Sequence, residues 1–416
     1  MKKNAVFLIA ALCLALSLGV PVSAEESTEE TVRESQGFRY RLLEDETAEI
    51  LGYLGYPGRE GPLELPETLE GHPVSSIGEE AFYGLRYGMG RITLPSGVTR
   101  IGSDAFSMSD ITEIEIPAGV VRMEDNPFSC CMSLKSITVA GDNPVFYVQE
   151  GVLFCREDRS LVCFPNLAAE IAETEDEDED AAVLATYTVP EGTQILRAGA
   201  FGGVEGLSEI FLPDSLRVIG AQAFCFCGGL DRITIPDSVT QIGDAAFDSC
   251  TSLGRVVLPA GLTRIPSMLF YECNSLQEAE IPETVTQIGD SAFDFCGSLE
   301  QVTIPESVTV IETAVFEGCA SLRSLAIPDG VTEIGAFALC GCSALSELQI
   351  PSSVRKIGSY AFSNCSMLRK LAVPDSVQSI GQHAFEGCSR DLVIVCGADS
   401  CVRTLCEQSG IAFRAQ

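Results

Sequence analysis

The chain predicts a repeat solenoid, mainly β, built as a right-handed stack of coils in which short parallel strands alternate with bends. Three observations predict it. Prolines recur every 23 residues, at Pro190, Pro213, Pro236, Pro259, Pro282, Pro305, Pro328, Pro351 and Pro374. Cysteines keep the same beat, at Cys227, Cys250, Cys273, Cys296, Cys319, Cys342, Cys365 and Cys388. The apolar positions between them also repeat, as in IPDSVTQIGDAAFDSCTSLGRVVLP at residues 235–259. A unit this short cannot bury its own apolar face, so a continuous core forms only when neighbouring units stack.

A fixed-position period of 20–29 residues is that of leucine-rich repeats, and each piece of the 23-residue unit has its own reading. Val239-Thr240-Gln241-Ile242 alternates apolar and polar side chains, the pattern of a half-buried strand. Gly243 follows, free to take a positive φ or a tight bend. Asp244-Ala245-Ala246-Phe247 reads as one short helical turn with Ala246 and Phe247 facing inward. Cys250 and Leu253 complete the turn. Leu253 to Leu258 forms the second extended piece, with Leu253, Val256 and Leu258 inward, and Pro259 ends it, because proline has no N–H for a ladder. The phenylalanine column (Phe201, Phe224, Phe247, Phe270, Phe293, Phe316, Phe362 and Phe385, with Leu339 as the substitution) reads as core.

The beat is less regular upstream. SSIGEEAFYG at 75–84 and ITLPSGVTRIGSDAFSMSDITEIEIP at 92–117 are repeat fragments, and Pro117 and Pro190 are three periods plus four residues apart. The intervening GVLFCREDRSLVCFP reads as a β-hairpin turning near Asp158. Cys155 and Cys163 flank that turn and could be bridged if the loop is Asp158-Arg159-Ser160. The acidic run at 173–180 reads as a solvated loop; calcium binding there is disfavoured, since no glycine supplies the bend that fixes such ligands. The expected organisation is a signal peptide (1–24), an N-terminal tail and cap (25–66), irregular repeats (67–141), a hairpin insertion with an acidic loop (142–189), regular repeats (190–390) and a C-terminal cap (391–416). The last cap should hold a strand at Leu392–Val395, a helix from Ser400 to Ser409 with Ser400 as N-cap, and a final strand at Ile411-Ala412-Phe413.

Lys2 and Lys3, the uncharged apolar stretch Ala5–Val20 and the small-residue sequence Val22-Ser23-Ala24 mark an export leader cleaved after Ala24. The expected location is secreted, or on the cell surface by non-covalent contact. The full chain carries net charge −33. Loss of Lys2 and Lys3 leaves 24 basic and 59 acidic side chains, net −35. That balance excludes nucleic acid and anionic membrane as natural partners, because both require clustered cations. Of 18 cysteines, 17 remain after loss of Cys13. Stacked coils ~4.8 Å apart keep their Cβ vectors parallel, whereas a disulfide wants Cβ atoms ~3.8 Å apart. The cysteine column therefore reads as small apolar filler.

A search for chemistry finds little. The two histidines are His72 and His383. His383 occupies a variable repeat position, held by Tyr360, Phe337, Ala314 and Ser291 in earlier coils. A Cys388–His383 dyad is disfavoured because Cys388 belongs to the repeating column. No metalloprotease, nucleophile-elbow or phosphate-cradling motif occurs, and the cysteine spacings are not those of zinc sites. No catalytic residue, cofactor or metal ligand is assigned. A sugar-stacking platform is not expected, with no Trp and few aromatics outside the core. The candidate contact surface is instead an exposed strand column of mixed charge: Glu209, Arg232, Arg255, Glu278, Gln301, Ser324, Glu347 and Lys370. A second column (Arg217, Thr240, Thr263, Thr286, Thr309, Thr332, Arg355, Gln378) reads as solvated sheet, which β-branched threonine suits.

The pattern IPxSVTxIGxxAFxxCxSLxxV, the GVLF…LVCFP hairpin and the closing GADSCVRTLCEQSGIAF resemble the BspA-like (Treponema pallidum-type) leucine-rich-repeat family over about residues 37–416. The resemblance implies a bacterial surface or secreted protein, and in some members an adhesin for host matrix proteins. It brings no catalytic residues. The expected function is a monomeric protein-binding scaffold, with adhesion to a host matrix or cell-surface protein as its sharper form. The alternatives are a passive spacer without a specific ligand and, far behind, a hydrolase.

Overall fold

The computed structural model describes residues 31–55, 61–86, 90–166, 185–397 and 400–415. The leader at 1–24 and the acidic run at 173–180 lie outside the described residues. What is described is a mostly β solenoid with the 23-residue period and one helix.

A coil of the regular region contains two short strands, such as Gln241–Ile242 and Arg255–Val257. Each pairs in parallel with its counterparts 23 residues away: Val218↔Gln241 in one ladder, and Arg232↔Arg255↔Glu278 in the other. Ala246, Phe247, Cys250 and Leu253 are fully buried, and Val256 and Leu258 nearly so. The Phe rings stack ring on ring, 5.1 Å apart for Phe224–Phe247 and 5.7 Å for Phe247–Phe270.

Three local expectations need correction. First, residues 244–249 are turns, not a helical turn. Ala245 (φ 56°) and Ser249 (φ 57°) are left-handed, and the same two positions are left-handed in coil after coil, at Met268 and Glu272 and at Ser291 and Phe295. Each such residue costs about 1–2 kcal/mol without a glycine. The return is a third hydrogen-bond ladder between coils: Ala245 N donates to Ser267 O (2.9 Å), Phe247 N to Leu269 O (3.1 Å) and Ser249 N to Tyr271 O (2.7 Å). A helical turn would have directed its carbonyls along its own axis; the left-handed residues turn them toward the neighbouring coil. Second, of the two options open to Gly243, positive φ is not the one taken. The glycine is required by close approach, because a Cβ there would lie 2.3 Å from Ala221 N. Third, the first strand is only Gln241–Ile242, shorter than the four residues expected.

The glycine column explains where one ladder breaks. Gly243 N donates to Ile219 O, Gly289 N to Ile265 O and Gly335 N to Ile311 O. Pro266 and Glu312 occupy the equivalent positions in their coils. The strand order runs continuously to Gln241–Ile242, restarts with the pair Arg264–Ile265 and Gln287–Ile288, and restarts again at Val310–Ile311. Proline has no N–H to donate, and a glutamate Cβ cannot occupy a gap closed to about 2.5 Å by backbone in the neighbouring coils.

Upstream, Arg33–Ser35, Phe38–Leu42 and Ala48–Tyr53 form an antiparallel meander whose last strand turns parallel to His72–Ile77. Glu49 is fully buried in this sheet. Arg41 pairs with it, Arg100 Nη1 lies 2.8 Å away, and Ser76 Oγ donates at 3.0 Å. The 152–163 hairpin is not an outward excursion. Val152, Phe154 and Leu161 face the core of the regular repeats, whereas Leu153, Cys155, Val162 and Cys163 face the core of the upstream repeats. It is a partition buried on both faces, and Ser160–Cys163 pairs in parallel with Ile195–Leu196 to carry the ladder onward. Cys155 stands opposite Ser160 and Cys163 opposite Leu153, so the two thiols do not oppose each other. Arg197 clamps the hairpin: Nη2 reaches Asp158 Oδ2 (2.7 Å), Nε reaches Ser160 Oγ (2.8 Å) and Nη1 reaches Met123 O (3.0 Å). Burial would raise the Asp158 carboxyl, but the bonds from Ser160 and Arg197 outweigh it and hold it below the usual range.

At the far end, Val393–Cys396 and Ala412–Ala415 add parallel strands across helix Cys401–Ser409. Ser400 Oγ accepts from Val402 N, and Gly410, left-handed, ends the helix. Among the described residues no helix is long and apolar enough to cross a membrane.

Candidate binding surface

The eight residues of the mixed-charge column fall on one side of the solenoid because each follows the buried leucine of its coil by two residues. Glu209, Arg232, Arg255, Glu278 and Gln301 are Cα partners in an unbroken parallel ladder. Glu347 and Lys370 are partners in a second. Ser324, between them, is exposed but lies outside any strand, so the column is brought together in two segments. Glu209 is half-buried and the other seven are exposed.

The arrangement is a charged, hydrogen-bonding surface with no reaction centre. Arg232 Nε sits 3.0 Å from Glu209 Oε1, and this contact raises the guanidinium pKa further. Arg255 Nη2 is 3.9 Å from Glu280. Solvent screens exposed pairs of this kind, so either member can exchange its partner for one on another protein at little cost. Two residues that charge patterning missed lie on the same face. Phe211 and Val257 are 48% and 38% exposed, two positions beyond Glu209 and Arg255. The signal was present: alternation places residue 211 on the solvent side with residue 209, and a phenylalanine is the bulkiest apolar side chain at that position of the repeat.

Elsewhere the scaffold absorbs the reactive groups. Each thiol of the cysteine column donates to the carbonyl of the phenylalanine position one coil back, as in Cys250 Sγ to Phe224 O and Cys273 Sγ to Phe247 O, both 3.1 Å. These cysteines are therefore donors as well as fillers, and burial pushes the Cys250 and Cys273 thiols well up, whereas its hydrogen bond with Cys365 lowers Cys388 at the end of the column. His383 Nδ1 lies 2.9 Å from Glu386, and Cys388 Sγ donates to Phe362 O, so neither addresses the other. The threonine column bonds along the stack, with Thr286 Oγ1 donating to Thr263 O and Thr332 Oγ1 to Thr309 O. Outside the core, Phe337, Tyr360 and His383 stack at 4.9 Å spacing on left-handed bends, an aromatic row the sequence reading did not expect. Its rings face one another, which leaves mainly edges to a partner.

Buried carboxylates form a further feature absent from the sequence reading. Asp248 and Asp294 are each only 5% exposed. Burial, with Glu272 nearby, pushes Asp248 to about 7. Burial, with Glu317 and Glu272, pushes Asp294 to about 8.

The BspA type leucine rich repeat region matches in six copies, over residues 64–167, 180–300 and 286–399. No curated protein sequence matches the chain. Among solved structures, a leucine rich cell surface protein from Faecalibacterium prausnitzii A2-165 is similar at 23% identity and TM-score 0.50, covering 93% of this chain and 98% of that one. A leucine-rich repeat protein from Bacteroides ovatus ATCC 8483 is similar at 23% identity and TM-score 0.49, covering 92% and 99%. The T. pallidum leucine rich repeat protein is similar at 22% identity and TM-score 0.31, covering 76% and 91%.

Proposed function

Since the chain belongs to the BspA-type leucine-rich-repeat family, we propose that it is an exported, non-enzymatic scaffold that binds another protein through its second-strand face, as an adhesive contact to a host matrix or cell-surface protein. One observation carries this reading: the mixed-charge column is held in register on a rigid sheet, beside two exposed apolar side chains. Interfaces combine an apolar or Arg-bearing centre with a polar rim, and Phe211, Arg232, Arg255 and Val257 supply such a centre within three adjacent coils.

The test is saturable binding of the mature chain to purified matrix proteins and to bacterial envelope fractions, measured by surface plasmon resonance. The triple variant Arg232→Glu, Arg255→Glu, Lys370→Glu should weaken binding at least tenfold while leaving the circular dichroism spectrum unchanged. If no fraction binds saturably, the chain is a passive spacer; if binding is saturable but indifferent to the charge reversal, this face is not its contact surface.

A further inference from the structure

We propose that Cys130 and Cys225 form a reversible disulfide, made by exchange with a low-molecular-weight disulfide such as glutathione disulfide, that locks the upstream repeats to the regular repeats. The two thiols are 95 residues apart in sequence, yet their Sγ atoms are 3.6 Å apart. The fold brings them together at the joint created by the hairpin. There, the bend around Cys130 stacks directly on the bend around Gly202, with Cys130 N donating to Gly202 O at 3.1 Å. Cys225 belongs to the coil after that. A whole coil therefore separates the two cysteines, and they meet only because that coil carries glycine at the crossing: a Cβ on Gly202 would lie 3.2 Å from Cys225 Sγ and 3.2 Å from Cys130 N.

The pair differs from most of the other thiols. Column cysteines are tied to carbonyls of the previous coil, although Cys365 and Cys388 at the end of the column also interact with each other. Cys130 and Cys225 point at each other and at Ser129 Oγ. With one coil between them their Cα atoms stand about two coil spacings, ~9 Å, apart, so closing the sulfurs from 3.6 Å to the ~2.05 Å bond length also requires the two bends to draw together by ~2 Å. Both line a narrow pocket walled by Tyr83, Met108, Phe226 and Asp248 and are buried, so a small disulfide reaches them through local opening of the bend. The hydrogen bond from Cys225 pulls the Cys130 thiol below its ordinary range against the effect of burial, whereas Cys225 is pushed up. Cys130 is thus the attacking sulfur. Its thiolate attacks the small disulfide, forms a mixed disulfide and expels one small thiolate. Cys225 loses its proton to water, attacks the Cys130 sulfur and expels the second. Two protein thiols give up two electrons and two protons, and the small disulfide leaves as two thiols.

The experiment treats the folded mature chain with glutathione disulfide, blocks remaining thiols by alkylation and maps peptides by mass spectrometry. We expect one dominant cross-link, Cys130–Cys225, reversed by dithiothreitol, absent from Cys130→Ser and retained in Cys250→Ser. Limited proteolysis should cut the segment between the two repeat regions at least tenfold more slowly in the oxidised chain. The wild-type map needs no variant to fold. A folded chain whose Cys130 and Cys225 remain alkylatable after exhaustive oxidation would overturn the proposal. So would cross-links scattered over the column cysteines.

Discussion

Neutralising Asp294 should make the solenoid more stable, by an amount that grows as pH rises from about 4 to about 8. Asp294 is 5% exposed; Oδ2 accepts from Ser291 at 3.2 Å, and Oδ1 has no hydrogen-bond partner. Burial and the facing Glu317 push its carboxyl from 3.8 to about 8. The folded pKa lies above the unfolded one, so the folded state binds the extra proton between those values, and stability falls as pH rises through the window. The contribution is fully present below about pH 4 and lost by about pH 8. At about 1.4 kcal/mol per pH unit, complete ionisation sets a ceiling of about 6 kcal/mol. Local opening of the bend, which lets water reach the carboxylate, is a cheaper escape, so the expressed loss should be on the order of 2–3 kcal/mol. Asp248, pushed to about 7, acts in the same direction. The assay is urea unfolding followed by circular dichroism, since the chain has no Trp, at pH 4, 6 and 8.5. Wild type should lose stability from pH 4 to 8.5. Asp294→Asn should match it at pH 4 and exceed it at pH 8.5, and Glu306→Gln, which removes an exposed charge, should not. If Asp294→Asn shows the wild-type pH slope, the carboxylate is ionised and satisfied in the folded state, and the burial argument is wrong.

Three further outcomes follow from the packing. Phe247→Ala removes a fully buried ring stacked on both sides and should cost about 3–5 kcal/mol, with hydrogen-exchange protection lost first in the adjoining coils, because repeats are coupled to nearest neighbours. Gly243→Ala places a Cβ against Ala221 backbone and should cost about 1–3 kcal/mol in urea unfolding. Arg100→Met leaves buried Glu49 with Arg41 as its remaining cation and should destabilise the upstream sheet by about 3 kcal/mol, read as a separate early transition in thermal melts.

In a solenoid, each residue's nearest spatial neighbours are its own copies one period away. A constant spacing in sequence is therefore a map of the core. That is why the inward positions of Phe247, Cys250, Leu253 and Val256, the solvent-facing positions of Arg232 and Arg255, and the repeat character of His383 were all legible from the amino-acid sequence. Features that depend on backbone conformation or on contacts off the period were not. Ala245 and Ser249 give no sign of being left-handed, because the bonds that hold them there run to the next coil and not along the chain. Gly243 signalled a special position, but only the 2.3 Å approach to Ala221 shows it to be a matter of space and not of φ; the ladder breaks at Pro266 and Glu312 follow from the same gap. The hairpin was readable as two strands, yet its burial on both faces depends on which coils it separates. Cys130 and Cys225, Glu49 and Arg100, and the raised pKa of Asp294 are decided by distances between residues tens of positions apart or by burial. Periodicity carries no such information, and the tertiary structure alone supplies it.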